Sequence, residues 1–411
     1  MTLLKYVFIF LFLIPLSFGT EYTIKNKGIV DVVAGKIISN KYIHVKNNKI
    51  ISIDEKTNSD AQLIDLSDSY ILPGLFDCHA HLFLAFSDHE KNKMSGAFIS
   101  QSHLNSKLRI KRAKNYLLEY LKQGFTSVCD LGNSGQFLDV DLKKQIQNNS
   151  DYPTLYVSGP ALTVGNAQYI QPVDKKEIER EYNVIENDTD IEKLLTKYLR
   201  KDVDILKIIL DGTNEKDLFP EKKLEEILNN PIAKKFKKIT FHSTSLPAFD
   251  IIKKYKLKNI EHLSMFRNEK TDINFVTNTI ISNDLLNQFK LGFPITKILQ
   301  TNLVKYIHQQ NIKPIFGPDF YVQKGNSNSY RATEVKRTIL TMSEYGMNNL
   351  EIIQSMTVNP ALSLGLQDSE GQIRENINAN LIAVKQNPLI NLDSLINIQF
   401  IMKNGKIIKL N

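Results

Sequence analysis

The sequence predicts an α/β fold: a (β/α)8 TIM-like barrel joined to a small β-domain that both termini build together. Three features of the 411 residues predict it. Short apolar stretches alternate with helical patterns between positions 71 and 365. Short strands broken by turns occupy the two ends. Histidines, one lysine and one aspartate recur where predicted strands stop, which is where barrels of this kind place their chemistry.

The N-terminus reads as an address. Lys5 supplies a positive n-region, Tyr6 to Leu16 an apolar core, and Ser17-Phe18-Gly19 a small-x-small cleavage pattern. A signal peptide over residues 1–19 follows, with the mature chain starting near Thr20 and exported to the periplasm or beyond. The apolar run is shorter than the roughly 20 residues a helix needs to span a bilayer, so stable membrane insertion after cleavage is not expected. An uncleaved anchor is the alternative. No Cys follows the cleavage pattern, which argues against a lipid anchor.

From Tyr22 to Ser69 short strands are expected at 22–24, 28–33, 42–45, 50–53 and 63–66, with Lys46-Asn47-Asn48-Lys49 as a hairpin turn. The C-terminus repeats the style at 379–384, 398–402 and 407–408. There Lys403-Asn404-Gly405-Lys406 is a strong hairpin signal. Neither end has enough strand for a stable sheet of its own. Residues 20–70 and 366–411 are therefore expected to form one composite β-domain around a barrel spanning 71–365.

The first barrel strand is read in Leu72-Pro73-Gly74-Leu75-Phe76-Asp77-Cys78-His79-Ala80-His81-Leu82. Later strands are expected at 126–131, 154–158, 204–210, 238–242, 259–263, 275–281 and 313–316. Helices are expected at 104–122, 191–200, 221–228, 248–255, 301–310 and 332–345. Between Ser264 and Ile298 the pattern weakens: the sixth helix reads as shortened and the seventh strand is the least defined. A doubly wound open sheet is the alternative architecture.

Composition narrows the function. A hydrophobic share of 42% is ample for a core, and the formal charge of +8 comes from lysines scattered among Asn, Asp and Glu. No segment interleaves basic and aromatic residues, so nucleic acid is excluded as a partner. The two cysteines, Cys78 and Cys129, end the first and second predicted strands. Export permits a disulfide, but nothing in the sequence shows that they face each other, and two buried free thiols are expected.

On a strand, side chains at i and i+2 share a face, so His79 and His81 point the same way and can grip one metal ion. Alone, the pair also fits two ordinary polar residues at a strand end. Lys207 lies inside the apolar run Ile205 to Leu210, where a cation is costly to bury without a partner or a modified form. His242 and His262 end the fifth and sixth strands, and Asp319 follows the eighth. Core histidines, a salt-bridged lysine and a turn-capping aspartate are the plainer readings of each. His44, His89, His103 and His308 are expected to be surface or structural, with His89 and His103 the nearest to any site.

Together these motifs resemble the amidohydrolase superfamily, in its branch of metal-dependent dipeptidases and imidazolonepropionase-like proteins. The resemblance rests on Pro73 to His81, the Leu-Lys-Ile at 206–208, His242, Ile-Glu-His at 260–262 and Gly-Pro-Asp at 317–319. Val358 to Leu366 and Lys403 to Ile408 match as well, so it covers nearly everything after residue 19. The resemblance implies a site for two divalent metal ions, Zn²⁺ first and Mn²⁺ or another divalent ion next. His79, His81 and Asp319 would hold one ion, His242 and His262 the other, and Lys207, N6-carboxylated, would bridge them. It further implies hydrolysis by a metal-bridging hydroxide, with Asp319 as the catalytic proton shuttle.

The sequence departs from that branch where a Gly-Gly-His loop is common: Leu162 to Tyr169 has no histidine. Asp211-Gly212-Thr213 and Gly317-Pro318-Asp319 are further departures. The loops 83–103 and 163–190 are expected to shape the pocket. The implied function is hydrolysis of a C–N bond in a dipeptide or small cyclic amide, with a small-molecule or dipeptide substrate and an oligomeric state the sequence leaves open. A deaminase or lactonase on the same scaffold, or an inactive metal-stabilised binding protein, are the alternatives.

Overall fold

The computed structural model describes residues 21–86, 99–169, 172–212, 217–277, 293–323 and 328–410. The expected signal peptide, His89, Thr213 and the far end of the expected seventh strand lie outside the described residues.

Among the described residues the strands fall into three sheets. The first has eight strands and draws on both ends of the chain. Its main path runs Lys406–Leu410, Ile398–Lys403, Leu381–Val384, Gln62–Pro73, Glu21–Asp31, Tyr42–Lys46, Lys49–Asp54, with Lys36–Ile38 beside Glu21–Asp31. The two strands expected at 22–24 and 28–33 are a single strand, Glu21–Asp31. Its register shifts between Asn26 and Gly28, and that irregularity broke the apolar alternation read in the sequence.

Alternation within this sheet separates two cores. Leu381, Ala383, Phe400, Met402 and Ile71 pack with Ile24, Ile43 and Ile50. Ile382, Val384, Ile398, Ile401 and Leu72 face the other way, into the cluster that holds Tyr116, Phe125, Leu206 and Ile260. The two hairpin turns meet as well. A Cβ on Gly405, whose φ is +74°, would lie 1.7 Å from the Asn47 carbonyl oxygen, an approach only glycine permits.

Parallel strands make the other two sheets, in chain order. Leu75–Phe86, Phe125–Asp130 and Thr154–Val157 are neighbours, with Phe320–Gln323 added beside the first. Ile205–Ile209, Lys238–Ser243, Asn259–His262, Phe275–Thr277 and Lys313–Ile315 follow, with Ala161–Thr163 and Tyr182–Val184 at one edge. Strand order follows the chain except at two edges, where Tyr182–Val184 lies outside Ala161–Thr163 and Phe320–Gln323 lies beside Leu75–Phe86. Single backbone hydrogen bonds link the sheets at both gaps: Asp204 N to Val157 O and Cys78 N to Phe316 O, each 2.9 Å.

Helices Ser106–Lys122, Ile191–Arg200, Glu221–Asn229, Leu246–Tyr255, Phe293–Gln310 and Asn328–Glu344 match the expected six within a few residues, except that the fifth begins eight positions early. The sequence reading missed Leu138–Ile146. Its N-cap, Phe137, has φ +73° and no capping side chain, so the helix lacks the cap signal, although Asp139 and Asp141 lie in its first turn. Between the sixth and seventh parallel strands the expected short helix is absent, because Arg267 to Asp272 offers no apolar residue to bury.

Ile382 is fully buried at the seam of the two cores. Ile382→Ala is expected to cost about 2–5 kcal/mol in urea unfolding, within one transition for both cores. A cost below about 1 kcal/mol, or two separate transitions, would show that the cores are not welded there.

Candidate metal and active site

All six residues predicted from strand ends converge. His79, His81, Lys207, His242, His262 and Asp319 line one small enclosed cavity, together with Leu131, Asn133, Ala161, Gln168, Tyr182 and Ile209. Five parallel strands or their exits supply them. The exit of the eighth passes tightly over the first: a Cβ on Gly317 would sit 2.6 Å from His79 Cβ. His262 and Asp319 have φ of +71° and +55°, left-handed backbone that costs a non-glycine residue about 1 kcal/mol or more.

Spacings among the six overlap, with His262 close to residues of both implied groups. Asp319 Oδ1 lies 3.1 Å from His81 Nε2 and 3.5 Å from His79 Nε2. The His242 and His262 rings are 4.3 Å apart, and His262 also approaches His79, at 5.0 Å between centroids. One donor atom each from His79, His262 and Asp319 lie within 4.8 Å of one another.

Ring orientation is set from behind. His81 Nδ1 is 3.0 Å from Gly132 O, a carbonyl that can only accept, so Nδ1 carries a proton and Nε2 is the nitrogen turned to Asp319. His79 Nδ1 lies 2.8 Å from Glu261 Oε2, and its Nε2 faces Asp319. Glu261 is itself buried and takes Lys238 Nζ at 3.3 Å and Thr240 Oγ1 at 2.5 Å. The sequence reading quoted Glu261 within a motif and gave it no role; its partners sit on other strands.

Burial holds the imidazoles of His79, His242 and His262 toward the neutral form. It pushes His262 down to about 3 and, with His262 beside it, His242 well below the ordinary histidine value. His79 is lowered too, by burial and then by Lys207. Burial alone would raise Asp319, but His79, His81 and His262 outweigh it and hold the carboxyl well below its usual range. Lys207 Nζ is buried with no hydrogen-bond partner among the described residues, and burial lowers it to about 8. Neutral imidazoles beside a carboxylate form a donor set that suits a divalent ion of the zinc type. An ammonium beside such an ion does not, so a filled site requires Lys207 neutral or acylated.

One wall comes from the third loop, as expected of residues 163–190. Gln168 Nε2 donates toward His242 Nε2 at 3.4 Å, while Gln168 Oε1 accepts from Tyr182 OH at 3.2 Å. Asn133 Nδ2 donates to Tyr182 OH at 2.7 Å. Behind them the buried Arg109 grips Glu181 with two bonds, of 2.7 and 3.1 Å, and donates to Asn133 O at 2.8 Å. Loop residues such as these carry no spacing that a sequence reading detects. His44, bonded to Thr23 Oγ1 at 3.0 Å, is structural, and His103 and His308 pair with Glu177 and Glu351 away from the cavity.

Glu261→Gln keeps the shape and removes the charge behind His79. Divalent-metal affinity is expected to fall about 10–100-fold with the circular dichroism spectrum unchanged. Because the Glu261 pKa is depressed, its stabilising share in metal-free protein is present above about pH 4 and is lost as pH falls further. Urea midpoints of the variant are therefore expected to vary less between pH 7 and acid than those of the parent. Unaltered metal affinity would remove Glu261 from the site.

The Amidohydrolase family profile matches residues 70–410. The imidazolonepropionase of Picrophilus torridus is 24% identical over 394 residues, 89% of this chain and 92% of that protein. The ochratoxinase of Aspergillus niger is 22% identical over 374 residues, 82% of this chain and 75% of that protein. Among solved structures, a Xaa-Pro dipeptidase with methionine bound in its active site has a TM-score of 0.78 at 19% identity, over 95% of this chain and 100% of that one. The A. niger ochratoxinase structure gives 0.76 at 18% identity, over 95% and 96%. At these identities the two structures speak for a shared fold, and the profile speaks for descent. Spanning the parallel strands and the C-terminal hairpin alike, it shows that the chain belongs to the amidohydrolase family and is a hydrolase acting on carbon–nitrogen bonds.

Proposed function

We propose that this hydrolase is exported, binds two divalent ions, Zn²⁺ first, and cleaves the amide bond of a dipeptide or small cyclic amide. The observation that carries the reading is the convergence of six strand-end side chains on one enclosed cavity. His79, His81 and Asp319 would hold one ion and His242 and His262 the other. When bound, the ions would acidify a water molecule and polarise the scissile carbonyl. In this reading the parallel strands form one interrupted (β/α)8 barrel over 71–365, with the two flanks as its β-domain and residues 1–19 removed on export.

The chain's own residues supply the rest. Asp319 is anionic and faces the cavity, so it is the group to take the proton from the attacking water and return it to the leaving nitrogen. Lys207, lowered to about 8 by burial, has a neutral amine within reach near neutral pH. That amine adds to carbon dioxide, forming an N–C bond and losing a proton to solvent, and the product is an anionic carbamate between the two histidine groups. Gln168, its oxygen bound by Tyr182, keeps its Nε2 turned into the cavity as a donor for a substrate oxygen.

The purified chain is expected to hold about two divalent ions, and chelators are expected to abolish turnover of a dipeptide or lactam panel. Asp319→Asn is expected to lower kcat at least about 10²-fold, with a smaller change in KM, metal content being measured in parallel. Near-normal kcat with full metal would remove Asp319 as the shuttle.

Lys207→Ala is expected to lose both metal and activity, and a short carboxylate in solution to restore part of each. An unmodified lysine with both ions bound would sink the carbamate. One ion at saturation would point to a mononuclear site instead.

A further inference from the structure

We infer that Cys78 and Cys129 are a disulfide-forming pair that ties the first parallel strand to the second directly beneath the cavity. These are the chain's two cysteines, and the fold brings them together. The sequence reading expected buried thiols and found no sign that they meet. In the structure Cys129 Sγ–H donates to Cys78 Sγ at 3.1 Å, with both side chains at most 2% exposed. The contact lies between the registered pairs Asp77 with Val128 and Ala80 with Asp130, where the ladder shifts by a residue. Neighbouring strands run about 4.8 Å apart, inside the range of roughly 4.4–6.8 Å between Cα atoms that a disulfide spans. Bringing the sulfurs to a bonding distance of about 2.05 Å takes about 1 Å of side-chain motion.

The pair sits in its own apolar cluster, among Phe76, Leu131, Tyr156 and Ile205. Leu131 also lines the cavity, so the cluster floors the site. Burial, and then the Cys78 contact, pushes the Cys129 thiol well above its ordinary value, which makes it a poor nucleophile in the closed fold. The bond therefore forms while the strands are still accessible, by exchange with a disulfide oxidant. One thiolate attacks the oxidant, forming a mixed disulfide and expelling one thiol. The second thiolate attacks that mixed disulfide and expels the other thiol. One S–S bond forms, one breaks, and the two protons of Cys78 and Cys129 leave with the two released thiols. Once closed, the bond lies out of reach of reductants, a resident cross-link on the strand that carries His79 and His81.

The inference stands apart from the hydrolase reading, and its test reads sulfur rather than turnover. The full chain is unfolded, refolded with oxidised glutathione, and unfolded again in denaturant with iodoacetamide. The expected product is lighter by two hydrogen atoms, carries no alkyl group and yields one cross-linked peptide pair containing Cys78 and Cys129. The cross-linked chain is expected to melt about 5 °C above the same chain reduced while unfolded and refolded without oxidant, a difference that Cys129→Ser does not show. The same mass is expected for chain made in an oxidising compartment without refolding. Two alkylated cysteines in both preparations, or a cross-link between chains, would overturn the inference.

Discussion

Glu261 has no contact with solvent, and an ionised carboxylate in that position costs several kcal/mol unless its lone pairs are filled. Lys238 and Thr240 from the fifth parallel strand and His79 from the first fill them. Two consecutive strands and a third far from them in sequence are thereby fixed to one another by a charge that cannot be left alone. The same contacts turn the His79 ring so that its Nε2 meets Asp319. The pose of the His79 ring and the pairing of the strands around it are consequences of one group.

Lys207 is the opposite case. The surrounding strands satisfy Glu261 with three donors and offer the neighbouring ammonium no hydrogen bond among the described residues. A fold that can pair a buried carboxylate so fully gains nothing from an orphaned cation unless the amine is wanted neutral. Left-handed backbone at His262 and Asp319 adds further stored cost at the same rim. The Arg109–Glu181 clamp, behind the reacting groups, keeps the wall carrying Tyr182 and Gln168 from relaxing.

Much of this was legible in the chain. Strand ends carry their histidines by a period-two rule, so His79, His81, Lys207, His242, His262 and Asp319 were found from spacing and from the resemblance, and the fold gathers all six. What escaped depends on contacts between segments. Glu261 alternates away from His262 on its strand, and only the position of His79 shows where it points. Gln168 and Tyr182 reach the cavity because a loop folds back, which no local pattern records. The meeting of Cys78 and Cys129 is decided by a register shift between two strands. Leu138–Ile146 was missed because Phe137 stands where a capping side chain would mark its start. The shortened helix expected before the seventh strand was misread from weak periodicity where no apolar stripe exists.

Leu381–Val384 lies between Gln62–Pro73 and Ile398–Lys403 and contributes side chains to both cores. This arrangement sets a timetable for the growing polypeptide. The strands of residues 21–73 leave the ribosome early, yet the edge they present has no partner until positions 381–410 have been made. Through most of synthesis that edge is an open template for pairing with other chains. Completion of this sheet thus waits until positions 381–410 have been made, and a chain cut short before them leaves that edge bare.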